Sequence, residues 1–328
     1  MNSPSAAKKQ KPNVGSALRK PAGPDFDKGV RYWDQIDASV DGVLGGYGTG
    51  PVPHVDQLTS RLLLLSLLPQ LHTFASPLTP QPPPRSHHRL TALEVGAGIG
   101  RVTNHVLLPF FDDVVVAEPV EKFIEEAKRQ AQDGEWRDLP RLSRARDEEE
   151  RREMKRRVDE SEKGRGKRAW FIKRGLQMFD PRNPGRDGNL GSVGEKRIGD
   201  GNTGWGEGDA QVEYDVIWCQ WCLGHLSHSD LVAFLRRAHK ALRNSTDSSS
   251  LTTPPATADI TMSTQTTPSD GYESLIFVKE NVCEDGPDGK AAEFLDEEDS
   301  SLTREAGLEL VKEQVQEGLP DELFLVKT

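Results

Sequence analysis

The sequence predicts an α/β fold with a parallel sheet, on the strength of three observations. Apolar runs of strand length recur at 90–95, 114–117, 214–220 and 275–278, as is typical of buried parallel strands. Segments with helical periodicity separate several of these runs. Polar or glycine-rich residues follow the runs, where open parallel sheets bind their ligands. A binding site is therefore expected at the carboxyl ends of the strands.

The unit at 90–120 contains a glycine turn between two predicted strands. Gly96 and Gly98 let the backbone turn tightly and leave room for a ligand, while Gly100 lets the next helix start close to the sheet. Glu118 ends the second strand and can accept hydrogen bonds from both hydroxyls of a ribose. The unit predicts a nucleoside-cofactor site, and a plain structural turn is the alternative.

The glycine spacing distinguishes between cofactors. It is G-x-G-x-G rather than the G-x-G-x-x-G of dinucleotide sites, and Arg101 stands at the helix start. A dinucleotide needs the longer loop around its pyrophosphate, whereas S-adenosylmethionine (SAM) has no phosphate and needs only space and polar contacts. The turn therefore favours a SAM-dependent methyltransferase.

Composition indicates one core that carries solvated segments. Of the 328 residues, 35% are hydrophobic and 29% are charged, which is polar for one compact globule. We expect a disordered tail at 1–24 and one domain at 25–328, with inserts at about 141–168, 182–210 and 244–271. The charged run at 141–168 could instead form a salt-bridged helix or contact nucleic acid.

Charge and cysteine content narrow the function classes. The net charge of −10 argues against broad nucleic-acid binding and suits a basic substrate segment. Cys219 and Cys222 form a C-x-x-C inside an apolar run, but no second pair completes a zinc site, so we predict no metal. The longest apolar run, 62–68, is too short to span a bilayer. A soluble protein of a reducing compartment is expected, in the cytoplasm or also in the nucleus.

Several further elements surround this core. A helix is predicted at 56–71 with Asp56 as its N-cap, followed by helices at 121–132 and 229–242. The segment 30–48 is rich in glycine and aromatic residues, so we expect it either to fold over the pocket as a lid or to anchor an N-terminal helix to the core.

These pieces together resemble the eukaryotic protein N-terminal methyltransferases, which methylate the α-amino group of proteins that begin X-Pro-Lys/Arg after removal of the initiator methionine. The resemblance runs in order from one end of the chain to the other. It rests on YWDQI (32–36), VDGVLGGYG (40–48), LEVGAGIGRVT (93–103), LLPFF (107–111), AEPVEKF (117–123), GLQMF (175–179), YDVIWCQWCLGHL (214–226), FLRR (234–237), KEN (279–281), LDEEDSS (295–301) and LPDELF (319–324).

The resemblance implies a class I SAM-dependent methyltransferase fold, a Rossmann-like sheet of seven mostly parallel strands with N-terminal lid helices. It implies protein substrates, with ribosomal proteins among them. The residues that it implies for the cofactor, beside Gly98 of the turn, are Gly96, Arg101, Glu118, Leu176, Gln177 and Gln220. For the substrate it implies that Trp221 packs on the proline, that Asn281 and His225 contact the amine, that Asp296 and Asp299 hold the basic third residue, and that Tyr32, Trp33 and Leu44 form the lid.

The chemistry agrees with these roles. An α-amino group has a pKa near 8, so a modest base suffices, and His225 or Asp299 could accept its proton. From the residues alone, His225 could equally be a histidine bonded to backbone, and Asp299 a helix N-cap that also binds substrate.

One departure from the family pattern bears on activity. The family places a full helix after the position of Ser301, whereas here Leu302-Thr303-Arg304 runs almost directly into 305–308. Loss of that helix would uncover part of the sheet. Two alternatives therefore stay open: a SAM-binding protein without turnover, and a SAM methyltransferase that acts on another class of substrate.

Overall fold

The computed structural model describes residues 24–72, 89–139, 166–194, 211–243, 274–282, 304–319 and 325–328. Within these ranges the strands are β1 (Thr91–Val95), β2 (Asp113–Ala117), β3 (Arg168–Ile172), β4 (Asn189–Gly194), β5 (Val216–Gln220), β6 (Leu275–Val282) and β7 (Leu325–Lys327). The α-helices are α1 (Phe26–Trp33), α2 (Val40–Val43), α3 (Val52–Leu67), α4 (Glu121–Gln132) and α5 (His228–Ala241). No helix in these ranges is long and apolar enough to cross a membrane.

All seven strands join one sheet in the order β4-β3-β2-β1-β5-β6-β7. The five central strands pair in parallel, and β4 and β7 each add an antiparallel edge. The chain builds outward from β1 through β2 and β3, then returns to the other side of β1 with β5. The predicted seven-stranded, mostly parallel α/β sheet is confirmed, and its strand order reverses between β1 and β5.

Helices cover both faces of the sheet, which is why β1, β2, β3 and β5 are buried along their whole length. On one face, Leu64 of α3 and Ile124 of α4 pack against the strands. On the other face, Phe234 and Ala238 of α5 do so. This three-layer arrangement leaves the carboxyl ends of the strands open to carry a site.

The N-terminal segment packs against the glycine turn. Asp25 caps α1 by accepting a hydrogen bond from the backbone N–H of Lys28, and Ser39 caps α2 in the same way through Gly42. Side chains that follow these caps, including Trp33 and Val43, form a small apolar cluster with Ile99, Val120 and Phe123. The segment is thereby held over the carboxyl ends of β1 and β2.

The helix predicted at 56–71 begins earlier, so the N-cap assignment of Asp56 was wrong. The helix α3 starts at Val52, with Pro51 at its N-cap and Pro53 in its first turn, where a missing N–H costs no intrahelical hydrogen bond. Asp56 lies one turn inside the helix and is completely buried. Its carboxylate points into the protein, where buried cations, rather than the helix N-terminus, are its partners.

The insert predicted at 182–210 was wrong in its first part. Residues 189–194 form β4, which pairs antiparallel with β3. Gly188 makes this possible: its φ is 76°, and a Cβ there would lie 2.2 Å from the carbonyl oxygen of Lys173. Residues 195–210, the insert at 244–271, most of 141–168 and the tail at 1–23 lie outside the described residues.

The described segment after residue 303 packs against α5. Arg304 and Glu305 are helical and lead into Ala306, which is buried in the same cluster as Phe234 and Ala238, with Leu308 packed beside it. The side chain of Arg236 donates to the carbonyl of Glu305 at 3.0 Å. This segment therefore adds apolar side chains to the face of the sheet that α5 covers.

Candidate functional site

A cleft lies beyond the carboxyl ends of β1, β2 and β5, where the strand order reverses. It encloses about 1020 Å³ of empty space, a figure that includes open solvent at its mouth. The residues named from the sequence that line it are Gly96, Gly98, Arg101, Glu118, Leu176, Gln177, Gln220, Trp221, His225, Trp33 and Leu44. These eleven residues come from five separate stretches of the chain, 33–44, 96–101, 118, 176–177 and 220–225, and meet in one cavity.

The glycine turn needs its glycines for two different reasons. Gly96 and Gly98 have φ angles of 63° and 56°, a left-handed backbone that favours glycine. A Cβ on Gly96 would also lie 2.3 Å from the Cβ of Cys222, whereas a Cβ on Gly98 would meet nothing closer than Val43 at 3.6 Å. Gly96 therefore allows the two strand exits to pack together, and Gly98 keeps the cavity floor open.

Glu118 ends β2 and is locked to the turn by backbone donors. The N–H groups of Gly98 and Val120 each donate to one of its carboxylate oxygens at 2.8 Å. Burial raises the pKa of Glu118 to about 7, although these two hydrogen bonds act in the opposite direction. The carboxylate is fixed in place and keeps free lone pairs at the cavity wall, as a receptor for a ribose diol requires.

Glu94 of β1 lies on the same wall. It is buried and accepts hydrogen bonds from both the backbone N–H and the hydroxyl of Thr103. Burial raises its pKa to about 7, with the nearby charge of Arg101 acting in the opposite direction. The site thus holds two buried acids whose pKa values lie close to neutral pH.

The loop after β3 presents Leu176 and Gln177 to the cavity, and α5 fixes it there. The guanidinium of Arg237 donates to the carbonyl oxygens of Leu176 at 2.7 Å and Phe179 at 2.9 Å. Arg237 belongs to the FLRR motif (234–237). Although it does not line the cleft itself, it fixes the loop that presents Leu176 and Gln177 to the cleft.

The exit of β5 carries the side chains assigned to the substrate. Trp221 has a φ of 53°, a strained conformation for a residue with a Cβ. Glu280 stabilises the turn because one of its carboxylate oxygens accepts from the N–H groups of Cys222 and Leu223 at 2.8 and 2.9 Å. This clamp holds Trp221 and His225 at the mouth of the cleft.

The lid reaches the same place from the opposite side. The indole N–H of Trp33 donates to Nε2 of His225 at 3.3 Å, and the Trp33 ring also packs against Phe123. Both interpretations of the N-terminal segment therefore hold, because one residue anchors the helix and covers the pocket. Tyr32 packs edge-on against Trp33 but is largely exposed and does not line the cleft.

Besides Tyr32, Asn281 is a described residue that was assigned to the site but does not line the cleft. It is exposed near the end of β6, where it pairs with Val326 of β7. Asp296 and Asp299 lie outside the described residues. Their contacts with the substrate stay predictions.

Comparison with known proteins finds methyltransferases that match this chain along most of its length. The profile of a family described as "AdoMet dependent proline di-methyltransferase" matches residues 24–141 and 204–247. Alpha N-terminal protein methyltransferase 1 of Arabidopsis thaliana is 29% identical over 92% of this chain and 77% of its own length. N-terminal Xaa-Pro-Lys N-methyltransferase 1 of Homo sapiens is 28% identical over 92% of both chains.

The chain belongs to the alpha-N-terminal protein methyltransferase family. A solved structure of a SAM-dependent methyltransferase from Leishmania major has the same fold, with a TM-score of 0.53, 24% identity, and coverage of 92% of this chain and 80% of that one. The SAM-dependent class I fold inferred from the sequence is thereby confirmed.

The cavity of this methyltransferase fits the family's cofactor. Its floor is open at Gly98, a fixed carboxylate stands at Glu118 for hydroxyl groups, and Arg101 offers a cation for a carboxylate. The ring of Trp221 faces the Arg101 guanidinium at 5.7 Å. Different walls of one cleft thus offer contacts for the nucleoside part and for the amino-acid part of SAM, with an aromatic ring beside them.

The C-x-x-C of the methyltransferase packs in its core. Both thiols are free and buried, and burial raises the pKa of each, which disfavours the thiolate that a metal would bind. The Cys222 thiol donates to the carbonyl of Val95 at 3.4 Å. Among the described residues, no group of three His, Cys, Asp or Glu side chains is placed to hold a metal ion.

Sequence reasoning missed Glu94, which lines the cleft, and Asp56 and Lys279, which lie behind it. A signal existed for Glu94, since it lies in the strand that leads into the glycine turn. For Asp56 and Lys279 the pattern gave no such indication, because their partners are far away in the chain.

Proposed function

We propose that this protein transfers methyl groups from SAM to the free α-amino group of proteins whose mature N-terminus reads X-Pro-Lys or X-Pro-Arg. One observation carries the proposal: the cleft joins a cofactor wall, built on Gly98 and Glu118, to a mouth lined by Trp221, His225 and the lid. An extended N-terminus can enter at that mouth, and the names of the curated relatives supply the substrate class.

The protein's own residues account for the requirements of the reaction. When bound, SAM supplies a methyl group made electrophilic by its sulfonium. Glu118, Gln220 and the glycine turn hold and orient the cofactor. Trp33 and Leu44 cover the cleft and reduce access of water, which favours reaction of the amine with the methyl group.

The amine must lose its proton before it can act as a nucleophile, and His225 is placed to take part. Partial burial lowers the pKa of its imidazole, so the ring is neutral at physiological pH. In that form Nε2 accepts from the Trp33 indole. A substrate amine that displaces this contact would find an unprotonated acceptor at the mouth of the cleft.

The first test is mass spectrometry of a synthetic peptide beginning Ser-Pro-Lys, incubated with the full-length protein and SAM. We expect mass gains of whole methyl groups that fragmentation places on the terminal nitrogen, and none on the N-acetylated peptide. Methylation of the acetylated peptide would indicate another acceptor, such as the lysine side chain. No gain with intact SAM binding would indicate a protein without turnover. Either result would overturn the proposal.

A variant pair tests the role of His225. His225→Asn is expected to lower kcat by about 10²-fold, the scale of general base catalysis, and to leave the Kd for SAM within about twofold. The matched control is His239→Asn on α5, which faces Gly307 rather than the cleft and should keep wild-type kcat. Equal kcat values in the two variants would exclude His225 from proton transfer.

The natural substrates within this proposal are cellular proteins with an exposed X-Pro-Lys/Arg terminus, and ribosomal proteins are the first to examine. The site of action proposed is the cytoplasm, with the nucleus as a second compartment. Comparison of N-terminal peptides from cells with and without the gene, after fractionation, would identify both.

A further inference from the structure

A buried cluster of charges lies directly beneath the cleft, centred on Asp56 of α3. Its carboxylate accepts from the Arg101 guanidinium at 2.5 Å and from the side-chain amide of Gln220 at 3.0 and 3.2 Å. It also forms an ion pair with Lys279 of β6. Arg101 and Gln220 line the cleft, whereas Asp56 and Lys279 do not. One carboxylate therefore holds two side chains of the cofactor wall from behind.

Lys279 supports Asp56 in turn. It is 1% exposed, and its ammonium donates to the hydroxyl of Ser60 at 3.1 Å as well as to Asp56. Asp56 and Ser60 are one helical turn apart on α3, so Lys279 fixes the rotation of that helix against β6. Each polar side chain in the cluster has a defined partner.

The cluster pairs two cations, Arg101 and Lys279, with the one carboxylate of Asp56. Burial would raise the pKa of Asp56, but Arg101 and Lys279 together outweigh it and hold that pKa below its ordinary value. Burial lowers the pKa of Lys279, and its ion pair with Asp56 acts in the opposite direction. The ionised carboxylate of Asp56 can therefore hold both cations from behind the cleft.

We propose that Asp56, supported by Lys279, is a positioning residue that orients Arg101 and Gln220 for cofactor binding. The inference rests on the proposed function in one respect, that Arg101 and Gln220 hold SAM. It adds a connection between α3, which touches no ligand, and the cofactor wall.

A second buried acid in the same sheet provides a matched control. Asp215 accepts from the backbone N–H of Thr91 at 2.7 Å and from Arg243 at 2.9 Å, and it is 4% exposed. It lies at the amino ends of the strands and lines no part of the cleft. Removal of the charge of Asp215 therefore perturbs a buried ion pair that makes no contact with the cofactor wall.

The test compares Asp56→Asn with Asp215→Asn in the full-length protein, by calorimetric titration with SAM and by thermal unfolding. We expect Asp56→Asn to raise the Kd for SAM by at least tenfold and to leave the KM for the Ser-Pro-Lys peptide within about twofold. Asp215→Asn should lower Tm but keep the Kd within about twofold. An unchanged Kd in folded Asp56→Asn, or equal changes in both variants, would overturn the proposal.

A double variant keeps the test decisive if Asp56→Asn folds poorly. Asp56→Asn with Lys279→Met removes one charge of each sign, so Tm should recover relative to the single variant while the Kd stays at least tenfold raised. A Kd that returns to the wild-type value with Tm would show a purely structural role. Because titration needs no methyl transfer, a wild-type protein that binds SAM without methylating the peptide would refute the proposed function alone.

Discussion

The two ends of the parallel strands both carry buried charges, but the charges are satisfied differently. At the amino ends, Asp113 pairs with Arg89 at 2.6 Å and Asp215 pairs with Arg243 at 2.9 Å. These pairs join strand starts to the segments beside them. At the carboxyl ends, by contrast, the cations Arg101 and Lys279 share the one carboxylate of Asp56. Two further acids, Glu94 and Glu118, face the cavity.

The difference shows how one sheet separates stability from binding. The acids at the amino ends are held by arginine partners of the protein itself. At the carboxyl ends, burial raises the pKa of Glu94 and Glu118 to about 7. The protein therefore stabilises the ionised form of these two acids less well than water does, which is typical of groups at functional sites. Substitutions at the two ends should therefore have separable effects on Tm and on the Kd for SAM.

The largest effect is expected for Gly96→Ala at the carboxyl end. The new methyl group would lie 2.3 Å from the Cβ of Cys222, and the φ of 63° is strained for alanine. We expect a loss of about 4 kcal/mol in the free energy of unfolding, measured by urea denaturation, and no detectable SAM binding.

The matched control is Gly191→Ala in the edge strand β4. Its φ of 93° is also unusual, but a Cβ there meets nothing within 4 Å, so about 1 kcal/mol is expected from backbone strain alone. If the two variants lost equal stability, contact with Cys222 would not be the reason for Gly96.

The second effect concerns Glu118 and binding rather than stability. Glu118→Gln keeps the size of the side chain but replaces the charged carboxylate with a neutral amide. The amide has only one acceptor oxygen, so it cannot accept hydrogen bonds from the N–H groups of both Gly98 and Val120. The Kd for SAM should rise by about 10–100-fold in titration calorimetry. Asp113→Asn at the amino end should lower Tm and leave the Kd for SAM unchanged. A raised Kd in that control would contradict the claim that the amino ends contribute to stability but not to cofactor binding.

The third effect is a pH-dependent gain in stability for Glu94→Gln. The ordinary pKa of 4.5 rises to about 7 in the folded protein, so the fold binds the proton more tightly and wild-type stability falls as pH increases between these values. Above pH 7 the variant should be more stable by up to about 3 kcal/mol. Near pH 4.5 the gain should vanish, as urea denaturation at pH 8 and 5 would reveal. A gain that is independent of pH would refute the ionisation argument.

The smallest effect is expected on the exposed face of α4. Arg129 forms ion pairs with Glu126 at 2.7 Å, Asp133 at 2.6 Å and Glu135 at 3.1 Å, all at the surface. Solvent screens such pairs, so Arg129→Gln should change neither Tm nor the Kd measurably. A clear fall in Tm would mean that exposed ion pairs contribute as much to stability as the buried ion pairs at the strand ends.

Local patterns explain which parts of the site were predictable. Gly96, Gly98 and Glu118 line the cavity, and the sequence could point to them because a tight turn and a strand-end acid lie within about 20 residues of each other. The strand β4 was missed because its glycines hide the alternation that marks a strand, and pairing with β3 is what creates it. Asp56 was misread as an N-cap because the sequence shows an acid near a helix start but not what the acid faces.

The sequence by itself determined the fold class, the glycine turn and eleven of the residues that line the cleft. These depend on apolar periodicity and on backbone conformations that few residues can adopt, and both are local properties. The tertiary structure alone decided the cluster beneath the cleft, where Asp56 meets Gln220 and Lys279 from positions 164 and 223 residues away. These side chains meet because α3 packs on the sheet and removes water from between them, and no local pattern encodes that event.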